Sequence, residues 1–204
     1  MRMPAPIKVD FWFDPICPFA WMTSRWIDEV ARQRDLDVTW HIMSLELLNE
    51  EKDIPQSYRD MLQGTSRLGR VVSGVEQDLG NEKVKALYDA LGTRIHPGGR
   101  KDRDAVLQEA IAELEIPESI VERADAGEFD ERYRASHLSG MERVGDEVGT
   151  PIIAIDGVAF FGPVISPAPK GEEALRLFDG VVMAASVDGF FELKRSRTRG
   201  PVFD

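Results

Sequence analysis

Alternation of hydrophobic and polar positions predicts a buried strand near the beginning of the chain. Hydrophobic side chains occupy every second position over residues 7–13, and Asp14-Pro15 ends the strand. Residues 18–34 then carry hydrophobic side chains at helical spacing, and residues 36–43 alternate again as a second strand. A strand, a helix and a strand in this order predict a βαβ unit with parallel strands and a right-handed crossover.

The pattern changes to helical spacing in the middle of the chain and returns to strands near its end. Asp156-Gly157 is a favoured two-residue hairpin turn between strands at 152–155 and 158–161, and a helix over residues 172–185 follows. In the middle of the chain, hydrophobic periodicity predicts five helices. They cover residues 55–80, 84–92 and 102–114, a segment that begins at residue 117, and residues 129–148.

This order predicts an α/β protein with a helical insertion. Residues 1–45 and 149–204 form the sheet-containing domain, and residues 46–148 form the inserted helical domain. The net charge changes at the same boundaries: it is −1 over residues 1–45, −9 over residues 46–148 and −1 over residues 149–204. Most of the acidic side chains are expected on the solvated faces of the inserted helices.

Length and charge restrict the function classes. The chain has 204 residues and a net charge of −11, which makes a nucleic-acid backbone a poor partner. The sequence contains no apolar run that approaches the roughly 18 residues of a membrane span, and its first eight residues lack the apolar core of a secretory signal. A cytoplasmic protein is expected, with the oligomeric state left open.

Cys17 is the candidate nucleophile. It is the only cysteine, so an intramolecular disulfide and a zinc site with two thiolates are excluded. The thiol follows a strand and opens a helix at Pro18, where unpaired N–H groups and the helix dipole favour the thiolate. Such positions lower the pKa from about 8.5 to about 3.5–7.5. The alternative is a buried, inert cysteine.

A second candidate feature is Thr150-Pro151, directly before a strand. A proline inside a sheet removes a backbone hydrogen-bond donor, so its place at the strand entrance has two explanations. It either ends the loop as an ordinary trans proline or forms a cis bond that shapes a site.

The sequence resembles the DsbA family of thioredoxin-fold proteins over nearly its whole length. A strand, Cys-Pro at a helix start, a helical insertion and Thr-Pro before a hairpin occur in that family's order. Further strings resemble the actinobacterial mycothiol-dependent nitroreductase group: FWFDP at 11–15, TSRW at 23–26, MSL at 43–45, LNE at 48–50, RIH at 94–96, VGTP at 148–151, GVAFFGP at 157–163 and FFELK at 190–194.

The resemblance implies Cys17 as the nucleophile, next to Pro18, and Pro151 as a cis proline that faces it. The wider family often reads Cys-Pro-x-Cys, whereas Ala20 occupies the last position here. A cycle through an internal disulfide is therefore impossible. A monothiol route remains, in which a small external thiol resolves a mixed disulfide with Cys17. The resemblance implies that this co-substrate is mycothiol.

Four further residues are candidates for the site. Phe19 could stack on a flat substrate, Asn49 follows a strand at a sheet edge where ligands bind, and Tyr58 could offer its hydroxyl. His96 could donate a proton, because the ordinary pKa of histidine is about 6.5. Each also has a structural explanation: core packing for Phe19 and Tyr58, a helix N-cap for Asn49, and a surface or structural histidine at position 96.

The sequence therefore predicts a cytoplasmic thiol-dependent oxidoreductase that acts on disulfides or on small electrophiles such as nitroaromatics. No flavin or nicotinamide motif is present, so we expect no tightly bound cofactor and a low-molecular-weight thiol as co-substrate. Two alternatives stay open. One is an enzyme of the kappa-class glutathione transferase and hydroxychromene-carboxylate isomerase branch, where the thiol substrate reacts and Cys17 is dispensable. The other is a non-enzymatic thioredoxin-like binding module with an ordinary thiol pKa.

Overall fold

A mixed four-stranded sheet forms the centre of the computed structural model, which describes residues 5–203. Its order is β2-β1-β3-β4, with β1 and β2 parallel and the other neighbours antiparallel. The predicted strands are confirmed, with bounds β1 Ile7–Phe13, β2 Leu36–Ile42, β3 Ile152–Ile155 and β4 Val158–Phe161. Residues 1–4, half of the N-terminal stretch considered above, lie outside the described residues.

Helix α1, Pro18–Ala31, connects the two parallel strands. Proline at its first position costs no hydrogen bond, because the N–H at that position has no partner within the helix. The helix ends three residues before the predicted end at Arg34. Its buried face includes Trp26, whose indole N–H donates to the Ala174 carbonyl at 2.9 Å and ties α1 to the last helix.

Seven helices lie between β2 and β3. The single helix predicted over residues 55–80 is in fact two, because the chain turns at Gly64, whose φ of 78° interrupts the helical backbone. The last helix of the group ends at Val144, four residues before the predicted end, with Gly145 as its C-cap. The bounds are α2 Leu45–Leu48, α3 Gln56–Leu62, α4 Ser66–Leu79, α5 Asn81–Ile95, α6 Arg103–Glu113, α7 Glu118–Asp125 and α8 Asp130–Val144.

The chain ends with a hairpin and a helix, as the sequence predicts. Asp156 and Gly157 have φ values of 47° and 93°, the two positive angles of a tight hairpin turn. Helix α9, Gly171–Ala185, packs against α1. Residues 186–203 continue without regular secondary structure.

The sheet and the helices between β2 and β3 share one continuous hydrophobic core. Helices α4, α5 and α8 contact β2, and α8 also contacts β4. The Phe13 ring of β1 stacks on the Tyr88 ring of α5, with a centroid distance of 3.8 Å. This packing places the start of α1, where Cys17 lies, between the sheet and the inserted helices.

Candidate functional site

The Cys17 thiol lies where the first turn of α1 meets the loop before β3. Cys17 is the N-cap residue of α1, and its Sγ accepts a hydrogen bond from the Ala20 N–H at 3.5 Å. The thiol donates to the Thr150 carbonyl, with an Sγ–O distance of 3.3 Å. The Thr150-Pro151 peptide bond is cis, as the resemblance implies. The structure thus brings Cys17, Pro18, Thr150 and Pro151 together.

The protonation state of the thiol differs from the expectation. Burial raises the pKa of Cys17, and the nearby Asp14 carboxylate raises it further. Hydrogen bonds involving Thr150, the Ala20 N–H and the Phe19 N–H lower it by less. The side chain is only 6% exposed, so loss of hydration outweighs the helix N-terminus. The predicted lowering of the thiol pKa is therefore wrong, because burial raises this pKa by more than the helix N-terminus and its hydrogen bonds lower it.

Asp14 is a site residue that sequence reasoning missed. Its carboxylate accepts hydrogen bonds from the Ile16 N–H at 3.0 Å and the Leu45 N–H at 2.7 Å. Its carbonyl accepts from the Cys17 N–H at 3.0 Å, which fixes the turn that carries the thiol. Burial raises the pKa of Asp14 to about 6. The signal in the sequence is an acidic residue three positions before the cysteine, where the sequence pattern indicates only the end of the strand.

His96 lies at the end of α5, beside the turn that precedes the thiol. Its Nε2 is 2.9 Å from the Pro15 carbonyl oxygen, so this nitrogen carries the proton and donates. Burial lowers the pKa of His96 to about 4, which leaves the ring neutral at pH 7. The predicted use of an imidazolium as proton donor is therefore not supported. His96 holds the backbone two residues before Cys17.

Phe19 and Tyr58 lie in the neighbourhood of the thiol. Phe19 is the second residue of α1 and is half-buried, with the Arg197 guanidinium 5.0 Å from its ring centroid. Tyr58, on α3, is also half-buried. Burial raises the pKa of its hydroxyl, and the charges of Cys17 and Asp14 add to this effect. The tyrosine therefore lies within electrostatic reach of the thiol.

Asn49 caps the end of α2 and does not contact Cys17. Its side-chain amide donates to the Leu45 carbonyl at 2.7 Å, so a helix-end position accounts for the residue, although at the C-terminus rather than the N-terminus. It borders a cleft of about 680 Å³ between α2, α3, α4 and α8 that does not include Cys17 among its lining residues. Of the predicted residues, Asn49 is the least closely associated with the thiol.

The atoms around Sγ suit nucleophilic sulfur chemistry. An acceptor, the Thr150 carbonyl, holds the thiol proton, and a donor, the Ala20 N–H, is in place for the thiolate. The Thr150 hydroxyl is buried close to the thiol, whose pKa it lowers, and it has no hydrogen-bond partner of regular geometry among the described residues. Over residues 5–203, no group of three or more histidine, cysteine and carboxylate side chains is arranged to hold a metal ion. In the same range no helix has the length and apolar character that crossing a membrane requires.

Solved structures confirm the fold. A probable DsbA oxidoreductase from Streptomyces coelicolor superposes with a TM-score of 0.60 at 16% identity, covering 97% of this chain and 94% of that one. The cytosolic disulfide reductase DsbM from Pseudomonas aeruginosa, solved with GSH, gives a TM-score of 0.56 at 19% identity and covers 86% of this chain and 99% of that one. The fold is therefore the thioredoxin-like fold of the DsbA proteins.

Sequence comparison identifies the family. The model of the Rv2466c-like family, described as mycothiol-dependent nitroreductase Rv2466c, matches residues 16–195. The uncharacterized protein Rv2286c of Mycobacterium tuberculosis is 32% identical over 200 residues, covering 95% of this chain and 84% of the relative. The chain therefore belongs to the Rv2466c-like family and is a thiol-dependent oxidoreductase.

Proposed function

We propose that the protein is a cytoplasmic monothiol oxidoreductase in which Cys17 is the nucleophile and mycothiol is the co-substrate. Its substrates are small disulfides or electrophiles such as nitroaromatics. The observation that carries the proposal is the position of Sγ between the Ala20 N–H and the Thr150 carbonyl, with Ala20 where a second cysteine would stand. Family membership supports the use of mycothiol.

The reaction begins with deprotonation of a buried thiol. When substrate binding or local opening admits water, the cost of burying the charge falls, and the S–H proton passes to solvent. The Ala20 N–H then stabilises the thiolate, which attacks one sulfur of a disulfide substrate and expels the other as a thiolate. Mycothiol attacks the resulting mixed disulfide and releases Cys17.

A nitroaromatic substrate requires electrons rather than disulfide exchange. Formation of one disulfide between Cys17 and mycothiol supplies two electrons and two protons, and a second mycothiol restores the Cys17 thiol by exchange. The absence of another cysteine means that each cycle uses external thiols only. The rate of the cycle is therefore expected to follow the concentration of the external thiol.

The remaining predicted residues receive the following proposed roles. Phe19 and Tyr58 form the walls against a flat substrate, and the Thr150 hydroxyl and Pro151 contact the thiol substrate beside Sγ. His96 positions the turn before Cys17 through the Pro15 carbonyl. Asn49 keeps the end of α2 in place at the border of the neighbouring cleft.

Replacement of the sulfur tests the nucleophile. We expect Cys17→Ser to lower the rate of mycothiol-dependent reduction of a nitroaromatic by about a hundredfold or more, because a serine hydroxyl is not ionised near neutral pH. Lys101→Ala, at an exposed position in the loop before α6, is the control and should keep the wild-type rate. Circular dichroism of each variant verifies the fold.

Other outcomes identify the alternatives. Full activity of Cys17→Ser would contradict the proposal and indicate an enzyme of the kappa-class type, in which the protein only activates the thiol substrate. Wild-type protein that binds mycothiol disulfide but neither forms an adduct at Cys17 nor turns over would indicate a binding module. Mass spectrometry after incubation with oxidised mycothiol or oxidised glutathione detects the adduct and shows which thiol removes it.

A further inference from the structure

A strongly basic segment lies close to the end of this acidic chain. Residues 194–199 contain four lysine and arginine side chains and no acidic one, in a protein with a net charge of −11. All six residues are exposed. Exposure to solvent alone would explain these four basic side chains if residues 194–199 lay far from Cys17. The fold instead places Arg197 close to the turn that carries Cys17.

The segment after these residues is fixed to the body of the protein through Ser166. The Ser166 hydroxyl donates to the Gly200 carbonyl at 2.9 Å and accepts from the Val202 N–H at 2.8 Å. Ser166 belongs to the loop after β4, which is itself attached to α1, since the Thr23 hydroxyl lies 2.7 Å from the Pro163 carbonyl oxygen. Residues 200–202 are therefore held beside α1, the helix that carries Cys17. We call the two hydrogen bonds of the Ser166 hydroxyl the Ser166 clamp.

Two ring contacts place residues 197–203 next to the turn that carries Cys17, which we call the thiol turn. The Arg197 guanidinium lies over the ring of Phe19, two residues after Cys17, at 5.0 Å. The Phe203 ring packs on the His96 ring, with a centroid distance of 5.7 Å, and His96 in turn holds the Pro15 carbonyl, two residues before Cys17. Arg197 and Phe203 therefore flank the turn that carries the sulfur, one on Phe19 and the other on His96.

Arg197 keeps its charge available. Several arginines of the inserted helices, including Arg67 and Arg123, are neutralised by carboxylates at 2.5–2.8 Å. Arg197 forms no ion pair with any residue in the described range, and its contact there is the face of Phe19. A guanidinium that stacks on a ring still presents its N–H groups at the edge, in the geometry that binds carboxylates in pairs.

We propose that Arg197 is the anion-binding residue of the thiol site and that it selects disulfides and electrophiles that carry a carboxylate or a comparable anionic group. The Phe19 ring holds the guanidinium by stacking and also contacts the flat part of the same substrate. The Ser166 clamp keeps Arg197 next to the thiol turn. This inference rests on the proposed function, because it assigns a substrate class to the same nucleophile.

Two aromatic disulfides of different charge provide the test. In 5,5′-dithiobis(2-nitrobenzoate) each ring carries a carboxylate, whereas 4,4′-dithiodipyridine is neutral at pH 8. The Cys17 thiolate attacks one sulfur of either probe, the S–S bond breaks, a mixed disulfide with Cys17 forms, and the second half leaves as a chromophore that is followed by its absorbance. With the nitrobenzoate probe the leaving group is a thiolate and the thiol proton goes to solvent. With the pyridine probe the leaving thiolate takes up a proton on its nitrogen and becomes the thione. The second-order rate constants of both reactions, and their ratio, are measured with the full-length protein.

The ratio of the anionic to the neutral rate constant should follow the charge at position 197. We expect it to fall roughly three- to tenfold in Arg197→Gln, to fall further in Arg197→Glu and to stay near the wild-type value in Arg197→Lys, because a single rim charge changes the rate of encounter by such factors. In wild-type protein the ratio should also fall as the salt concentration rises to about 0.5 M. Ser166→Ala, which releases the clamp, should lower the ratio less than Arg197→Gln, and Lys101→Ala should leave it unchanged.

The outcomes separate this inference from the proposed function. If wild-type Cys17 reacts with both probes and the ratio is the same in Arg197→Gln and Arg197→Glu as in wild type, Arg197 does not bind the anion and the inference is wrong. If the ratio falls equally in Arg197→Lys, shape rather than charge is responsible, and the inference is also wrong. If Cys17 reacts with neither probe, the proposed function itself fails.

Discussion

At the scale of single residues, the environment of Cys17 combines two opposing effects. The first turn of α1 offers the Ala20 N–H to a thiolate, while the nearly complete burial of Sγ and the carboxylate of Asp14 favour the thiol. The second effect is larger, so the pKa of the thiol lies above its ordinary value. For the proposed nucleophile, we therefore expect reactivity to depend on access of water or substrate to Sγ as well as on the helix that carries the sulfur.

Ala20 determines which redox cycle is possible. Its backbone nitrogen is 3.5 Å from Sγ of Cys17, and it occupies the third position of α1. We expect Ala20→Cys to form an internal disulfide after reaction with oxidised glutathione, because the new thiol attacks the mixed disulfide and releases glutathione. Mass spectrometry should find a stable glutathione adduct on wild-type protein, and on the variant a loss of two hydrogens instead.

A double variant provides the matched control for this redox prediction. Ala20→Cys combined with Cys17→Ser carries the same new thiol without its partner, so it should show no internal disulfide. Persistence of the glutathione adduct on the Ala20→Cys single variant would show that the two positions do not approach in solution as they do in the structure.

At the scale of elements, glycines in the inserted helices allow aromatic rings to pack directly on the helix backbone. A Cβ atom at Gly92 of α5 would lie 2.2 Å from Cε3 of Trp21, which is too close for any real contact. The Trp21 ring in turn stacks on the ring of His96, with a centroid distance of 5.8 Å. The contact of α5 with α1 therefore supports the histidine that holds the thiol turn.

Substitution of Gly92 tests this packing. We expect Gly92→Ala to lower the free energy of unfolding by about 1–3 kcal/mol, because the indole ring and the backbone of α5 must move apart. Gly180→Ala in α9 is the matched control, since no atom lies within 4 Å of a Cβ there. It should raise the free energy of unfolding by roughly 0.5–1 kcal/mol, the usual gain in a helix. Urea unfolding measures both values, and equal stabilities of the two variants would contradict the packing argument.

Local sequence patterns predict most elements because their causes are local. The hairpin at Asp156 and Gly157 follows from two residues that tolerate positive φ, and its strands have the predicted bounds. Two elements differ: the short helix α2 is not predicted, and one predicted helix is broken into α3 and α4 at Gly64. Hydrophobic spacing continues on both sides of this turn, and the pattern therefore does not distinguish one helix from two.

At the scale of the whole molecule, three buried titratable groups contribute to the response to acid: His96, His137 and Asp14. Burial lowers the pKa of His96 and of His137 to about 4, so the unfolded chain takes up two protons below about pH 6.5 that the folded protein does not yet bind. These two groups reduce stability as the pH falls from 6.5 to 4. Asp14, with its pKa raised to about 6, acts in the opposite direction, because the folded state binds its proton first.

The balance of these groups can be measured by unfolding at several pH values. Each pKa unit corresponds to about 1.4 kcal/mol, so the histidines together outweigh Asp14 and wild-type protein should lose stability between pH 6.5 and 4. Asp14→Asn should steepen this loss, and His137→Gln should reduce it. Comparing each variant with wild type cancels the surface ion pairs common to both. A loss of the same size in all three proteins would contradict the assignment.

The division of the chain into a sheet domain, 1–45 and 149–204, and a helical domain, 46–148, stays a prediction. Helices α4, α5 and α8 contact the sheet directly, and the hydrophobic core is continuous between the two parts. The thiol lies where the two parts meet. Motion of the helices against the sheet would therefore change the access of water and substrate to Cys17.

The sequence by itself determined the strands, most helices, the fold class and the candidate nucleophile. The elements depend on hydrophobic periodicity and turn residues, and the nucleophile on the position of Cys17 before Pro18, which are properties of neighbouring positions. The thioredoxin-like fold class followed from the resemblance to the DsbA family. Only the tertiary structure decided the protonation of the thiol and the state of His96, since both depend on how completely other elements remove water from them. It also brought Arg197 to Phe19, a contact between residues 178 positions apart that no local pattern encodes.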